Sequence, residues 1–165
     1  MVGGGPTGVE LAGTFAELAR TVLYRDFEHI DPRQARIILV EGAPRLLGTF
    51  DARLSASAKE QIETLGVEVR LDTRVTAIRD GEVELNGETI RAGNIVWAAG
   101  VSAVPVARTL GVELDRAGRI KVLPDFSVPG HPRVFAIGDI AALTDAKGVA
   151  VPGVAQGAIQ PAAHI

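Results

Sequence analysis

The 165-residue sequence contains no cysteine, which removes disulfides, thiolate metal sites and thiol catalysis from its chemistry. Its three histidines, His29, His131 and His164, lie far apart and lack ligand spacing, so there is no zinc motif. Nowhere does it reach the roughly 18 consecutive apolar residues of a spanning helix, and no basic start followed by an apolar run marks a signal peptide. A dominant charge is missing too: 17 Lys and Arg stand against 20 Asp and Glu, dispersed along the chain with a net charge of -3. Nucleic acid is therefore not an expected partner, and the segment reads as cytoplasmic. One absence is local. The chain opens MVGGGPTGVELAG, and a fingerprint such as Gly3, Gly5 and Gly8 normally follows a buried strand, yet only Met1 and Val2 precede it. The expectation is a first strand cut short.

What is present suits a globular chain, since 47% hydrophobic and 22% charged residues supply both a core and a hydrated surface. After the glycine loop, residues 7–27 repeat Val9, Leu11, Ala12, Phe15, Leu18, Ala19, Val22 and Leu23 on a helical period, which predicts one long helix. Asp31-Pro32-Arg33 breaks it, and RIILVE, residues 36–41, has the β-branched character of a strand buried on both faces. Asp51 is placed to cap a second helix over residues 52–65, in which Leu54, Ala58, Ile62 and Leu65 keep the period and after which Gly66 fits the C′ position. VEVRL, residues 67–71, follows as another strand. This alternation predicts an α/β fold with a Rossmann-like parallel sheet and right-handed crossovers.

Period two then takes over. VTAI, EVEL and ETI are separated by Asp80-Gly81 and Asn86-Gly87, pairs suited to type I′ turns, and predict an antiparallel meander packed on the parallel sheet. NIVWAAG, residues 94–100, reads as an apolar strand running into a small-residue turn. Beyond Gly100 the sequence predicts a short helix over residues 104–110, a further buried strand at residues 134–137 before Gly138-Asp139, and an incomplete helix in VAQGAIQPAAHI.

The glycine loop carries the clearest chemistry. Gly3 allows the tight turn, Gly5 admits a pyrophosphate to the backbone, and Gly8 lets the helix pack closely, while the helix N-terminus presents free N–H groups and a positive dipole end to the phosphates. Followed by a helix and RIILVE, this loop points to dinucleotide binding. Glu41 ends that strand, where a carboxylate can accept hydrogen bonds from both adenosine ribose hydroxyls and repel a 2′-phosphate, favouring NAD(H) over its phosphorylated counterpart. A solvated glutamate at a strand end reads the same way in sequence, and Arg45 nearby can soften the discrimination. Glu10 is expected in the first turn of the first helix, where a carboxylate favours the dipole for structural reasons alone.

Taken together, GGGPTGVELAG, IILVEGAPRLL, IVWAAGV, VFAIGDIA and VAQGAIQ resemble the second half of the type II NADH dehydrogenases, single-chain FAD-dependent NADH:quinone oxidoreductases of the pyridine nucleotide-disulfide oxidoreductase superfamily. In that family an FAD-binding fold is interrupted by an NADH-binding fold. The resemblance implies residues 1–100 as the NADH-binding domain and residues 101–165 as an incomplete C-terminal part of the FAD-binding domain. It implies that Gly3, Gly5, Pro6, Thr7 and Gly8 cradle the pyrophosphate, that Glu41 holds the ribose and that Glu10 lies near the nicotinamide. Ala98, Ala99 and Gly100, following Trp97, would let the dinucleotide pass close to the backbone, and Gly138 and Asp139 would meet FAD. Gln156 and Gln160 match a pattern associated with the quinone pocket. Read without the resemblance, Asp139 can equally cap a following helix, and the two glutamines can be an exposed polar face.

The family's opening flavin fingerprint and its C-terminal membrane-associating region have no counterpart here. FAD binding by this chain is therefore expected to be weak or absent, activity of the isolated chain is not expected, and contact with the membrane surface is expected only through other regions, with the parent protein peripheral on the cytoplasmic side. Hydride would pass from NADH to FAD and then to quinone in that parent. A slot left by the short first strand invites a second copy, and so a homodimer. Two other readings remain: part of a ferredoxin- or dithiol-reductase-type flavoprotein, and a non-catalytic NAD(H)-binding module.

Overall fold

Gly5 stays extended and Pro6, whose ring presets a helical φ and whose missing N–H costs nothing at a helix start, opens α1 over Pro6–Glu17. The computed structural model describes residues 1–145, 148–151 and 155–165, in two compact units, Met1–Gly100 and Val101–Ile165. In the first unit the chain runs from α1 through β1 (Ile38–Val40), α2 (Ala52–Thr64) and β2 (Glu68–Arg70) into β3 (Val75–Arg79), β4 (Glu82–Leu85) and β5 (Glu88–Arg91). β1 and β2 pair in parallel, and β3-β4-β5 form an antiparallel meander. This matches the α/β expectation, with the parallel pairing shorter than RIILVE and VEVRL suggested.

The slot of the first strand is filled by what precedes the glycine loop. Val2 donates its N–H to the Val96 carbonyl at 2.9 Å and accepts from Ala98 at 2.7 Å, while on its other side Gly3 donates to Val40 at 2.8 Å and Val40 donates to Met1 at 2.9 Å. NIVWAAG does not form the expected buried strand: only Trp97 makes a bridge, to Val2, and it is 58% exposed. The pairing there is confined to Val2, which bonds Val96 and Ala98 on either side of Trp97.

Side-chain alternation along β1 assigns the two faces. Leu39, fully buried, packs with Ala12, Ala16, Leu46, Ile62 and Val67, which places α1 and α2 on one side. Val40 packs with Val83, Leu85 and Ile90 of the meander on the other. The result is a helix layer, a parallel strand layer and an antiparallel layer, with each fully buried leucine contributing about 2 kcal/mol. Asp51 caps α2 through its carboxylate on the Arg53 N–H at 2.8 Å, and Gly66 closes it at φ 81°, as expected.

Several expectations change on inspection of the packing. The long first helix is α-helical only to Glu17; a π turn at Leu18–Val22 and a 3-10 turn at Leu23–Arg25 follow. Its buried stripe is the small one, Gly8, Ala12, Ala16 and Ala19, while Phe15, Leu18 and Val22 are exposed. Small residues let the helix approach the sheet closely, and a periodicity count weighted by bulky side chains misses that. Leu54 is likewise 57% exposed, so only Ile62 of the α2 stripe is buried in the core. Of the two hairpin turns, Asn86-Gly87 has both residues at positive φ (47° and 89°), as type I′ requires; at Asp80-Gly81 only Gly81 does.

The second unit is built from short pieces: a 3-10 helix at Pro105–Leu110, β6 (Ile120–Lys121) paired in parallel with β9 (Ala141–Ala142), β7 (Ser127–Val128) antiparallel to β8 (His131–Phe135), and α3 (Gln156–His164) with Pro161 inside it. Its core is Ala107, Ile120, Val128 and Ala136. The strand expected buried at residues 134–137 instead spans His131–Phe135 and is exposed throughout; it pairs with β7, and among the described residues of this unit no second layer covers it. Val154 of the VAQGAIQ motif lies outside the described residues.

Candidate functional site

A cleft of about 740 Å³ opens where the glycine loop, the end of β1 and the Trp97–Gly100 turn converge. Gly3, Gly5, Glu41, Ala98, Ala99 and Gly100 all line it, so one site gathers six of the residues singled out from sequence. Each glycine has its own reason. Gly3 sits at φ 107°, and a Cβ there would come within 2.6 Å of the Ala98 backbone. At Gly8 a Cβ would lie 1.8 Å from the Gly3 carbonyl oxygen, whereas at Gly5 it would project into open space, the side a ligand can occupy. The loop is further pinned by Leu47 donating to Gly4 at 2.8 Å and Val9 donating to Gly5 at 3.0 Å.

Glu41 is held rather than free. Its Oε2 accepts from the Gly4 N–H at 2.5 Å and its Oε1 from the Ala43 N–H at 2.8 Å. Each carboxylate oxygen keeps a further lone pair for a ligand hydroxyl. The same geometry exposes a residue that motif reading passes over: a Cβ on Gly4 would fall 2.6 Å from Leu46 and 2.9 Å from the Glu41 side chain. The signal in the sequence is the run of three glycines, whose middle one falls on a variable position of the G-x-G-x-x-G pattern. Arg74 and Thr73 also line the cleft and drew no attention in the sequence, because they enter from the link between β2 and β3. Arg45, by contrast, is fully engaged, donating to the Gly48 and Phe50 carbonyls at 2.6 and 2.8 Å and to Ser55 Oγ at 3.3 Å.

No side chain caps the start of α1, so the first-turn N–H groups have no partner within the helix. Glu10 does not occupy that turn. Because α1 begins at Pro6, Glu10 falls in the second turn and lines a groove between α1 and α2 instead of the cleft. Pro6, Thr7 and Gly8 form the helix start behind the loop and do not line the cleft.

The remaining candidates lie in the second unit. Gly138 and Asp139 form a 3-10 turn whose N-cap is Ile137, so Asp139 sits within the turn and caps no helix. They line a cavity of about 240 Å³ with Arg119 and Phe126. Gly138 is at φ 70°, and a Cβ there would approach Ala158 of α3 to 3.2 Å. Gln156 and Gln160, both exposed, lie one turn apart on α3 and face a groove of about 560 Å³ that includes Phe126 and His164, whose rings meet edge-on with centroids 6.2 Å apart. Phe126 is held at φ 66° between Asp125 and Ser127; the Ser127 hydroxyl and N–H hold the Asp125 carboxyl below its usual range, with burial opposing them. Among the described residues no group of histidines and acids could hold a metal ion, and no helix is long and apolar enough to cross a membrane.

Comparison with known proteins adds to this geometry. The chain is 46% identical over its whole length to the type II NADH:quinone oxidoreductase Ndh of Mycobacterium tuberculosis and 42% identical over 99% of its length to NdhA of the same organism, covering 36% of each. It thus spans about a third of the length of the curated relatives it matches. The solved structure of NDH2 from Plasmodium falciparum in complex with NADH superposes on 86% of this chain and 31% of that one, with a TM-score of 0.76 and 25% identity. Since the family model for pyridine nucleotide-disulphide oxidoreductases matches residues 1–162, the layered fold and its glycine-lined cleft have a single source, and the chain belongs to that family.

Proposed function

We propose that residues 1–100 bind NADH in the 740 Å³ cleft, within a protein that passes hydride from NADH to FAD and reduces a quinone. The observation that carries this is the convergence of the glycine loop, the tethered Glu41 and the Trp97–Gly100 turn on one cleft whose volume suits a dinucleotide. In this reading the pyrophosphate lies on Gly3 and Gly5 beside the start of α1, with Pro6, Thr7 and Gly8 shaping that start, and the ribose hydroxyls donate to Glu41. Ala98, Ala99 and Gly100 leave room for the rest of the dinucleotide. The groove placement of Glu10 gives it no part in the cleft.

The second unit is proposed as part of the flavin and quinone apparatus. Its 240 Å³ cavity at Gly138 and Asp139 is below the size of ordinary ligand pockets and suits a portion of FAD, so the chain alone binds FAD weakly or not at all. FAD supplies the two-electron chemistry when bound; this chain's residues bind the dinucleotide, orient it and keep water from its backbone face. The groove beside Gln156 and Gln160 is proposed to contribute to the quinone site. The names of the two Mycobacterium tuberculosis relatives support quinone as the acceptor over the ferredoxin- and dithiol-reductase readings. The parent is proposed to be peripheral on the cytoplasmic side of the membrane. A homodimer built on the first-strand slot is not part of the proposal, because the Met1–Gly3 segment is hydrogen-bonded on both sides, to Val96 and Ala98 through Val2 and to Val40 through Met1 and Gly3.

Titration of the chain with NADH and NADPH, followed through the single tryptophan, Trp97, tests the site. Wild type is expected to favour NADH, and Glu41→Ala to erase most of that preference while weakening NADH binding about tenfold, the effect of losing hydrogen bonds to a charged group. Equal affinity for both nucleotides in wild type would sink the assignment.

A further inference from the structure

Among the described residues, Glu41 and Arg74 are the one acid and the one cation that line the cleft, and they are treated differently by the fold. The Glu41 carboxylate is tied to backbone N–H groups at both oxygens. For Arg74 it is the backbone that is tied. Its N–H donates to Asn86 Oδ1 at 3.1 Å and its carbonyl accepts from the Asn86 N–H at 3.1 Å, while Asn86 Nδ2 donates to the Asp72 carbonyl at 3.2 Å. Thr73 donates to the Glu41 carbonyl at 3.0 Å and Asp72 to the Ala43 carbonyl at 3.1 Å, which laces the 72–74 link onto the end of β1. Among the described residues the Arg74 guanidinium itself makes no hydrogen bond or ion pair. Two other arginines of residues 1–100 do not share that freedom: Arg70 is paired with Glu68 and Glu88, and Arg45 with backbone carbonyls.

The side chain runs beside Gly42, where an added Cβ would sit 3.5 Å from Arg74 Cγ. Next come Ala43 and Pro44, which also line the cleft. With a ribose on Glu41, the base attached to that ribose falls over residues 42–44, a small apolar shelf with an unengaged planar cation along it. A guanidinium stacks on aromatic faces, and purines offer such a face whatever their edge groups. We propose that Arg74 stacks on the adenine of the bound dinucleotide and sets the affinity for its adenosine half, with Asn86, from the turn of the meander, as its positioning residue. This rests on the NADH reading of residues 1–100.

The test compares three ligands, NADH, ADP-ribose and reduced nicotinamide mononucleotide, on wild type and Arg74→Ala at low and high salt, by calorimetry. Arg74→Ala is expected to raise Kd for NADH and for ADP-ribose by about three- to tenfold and to leave the mononucleotide unchanged, with the loss persisting at high salt. Arg74→Lys, which keeps the charge and loses the plane, recovers less than half of the lost affinity on a logarithmic scale. Asn86→Ala reproduces part of the same ligand-selective loss. An unchanged Kd in Arg74→Ala, an equal loss for all three ligands, or a loss that vanishes at high salt would overturn the stacking role. Failure of wild type to bind NADH or ADP-ribose would instead overturn the NADH reading, and the role of Arg74 with it.

Discussion

Residues 1–100 bury Leu39, Leu46, Ile62 and Val67 on one side of a parallel layer and Val83, Leu85 and Ile90 on the other. Residues 101–165 bury Ile120 and Val128 with two alanines, and leave Val101, Val104, Val106, Leu123, Val134 and Phe135 exposed. The first unit thus has side-chain packing on two faces of a strand layer, and the second has one small core beneath short hairpins and a 3-10 helix. The difference teaches where rigidity comes from. The cleft proposed for the dinucleotide is built on the layered unit, whose Gly3 and Gly8 face backbone atoms at under 3 Å from where a Cβ would sit, while the second unit's grooves are framed by short elements.

The sharpest break in this comparison comes at Gly8. In Gly8→Ala the new methyl meets the Gly3 carbonyl oxygen at 1.8 Å, so α1 and the loop must separate. NADH affinity should fall by about a hundredfold or more and stability by about 3 kcal/mol or more, despite alanine's better helix propensity; denaturant unfolding alongside the NADH titration reads both. The cores should respond next. Leu39→Ala should cost about 3–5 kcal/mol and weaken NADH binding, whereas Ile120→Ala should cost about 2–4 kcal/mol and leave NADH binding intact, because among the described residues those lining the cleft all lie within residues 1–100. Hydrogen exchange resolved by residue would show whether each loss stays within its unit.

The smallest expected effect is on the acid limb of the second unit. The Arg119 N–H holds the Asp115 carboxyl below its ordinary value of 3.8; burial opposes it, and the Arg119 side chain and the Ala117 N–H assist. A depressed folded-state pKa contributes stability that is present above the unfolded value and is lost as the pH falls through the folded one. Amide protection factors in residues 113–121, taken relative to intrinsic exchange at each pH, should therefore fall as the pH drops below about 4. Asp115→Asn should remove that pH dependence while leaving the neighbourhood of Leu39 unaffected.

Much of the first unit could be read directly from residues. Asp51 and Gly66 announced the ends of α2, Asn86-Gly87 announced its turn, and the glycine loop announced its cleft, because each signal is local: a capping carboxylate, a positive φ, a spaced glycine pattern. What escaped was non-local. Whether Phe15 or Ala16 faces the sheet depends on how closely α1 approaches, and whether Val134 is buried depends on what covers it. Glu10 was displaced from the first turn by a single residue's difference in where the helix begins.

For the site, sequence determined the residue types and their backbone permissions: glycines where a turn and a close crossing require them, and a glutamate at a strand end. Only the tertiary structure decided that a Cβ on Gly4 would collide with Leu46 and Glu41, that Glu41 is anchored through both oxygens, that Arg45 is occupied and that the Arg74 guanidinium has no partner among the described residues. The physical reason is range. Backbone torsions and caps act over a few residues, whereas the hydrogen bonds that tie Glu41 to Gly4 and Asn86 to Arg74 span 37 and 12 positions of chain, and nothing in a local window records them.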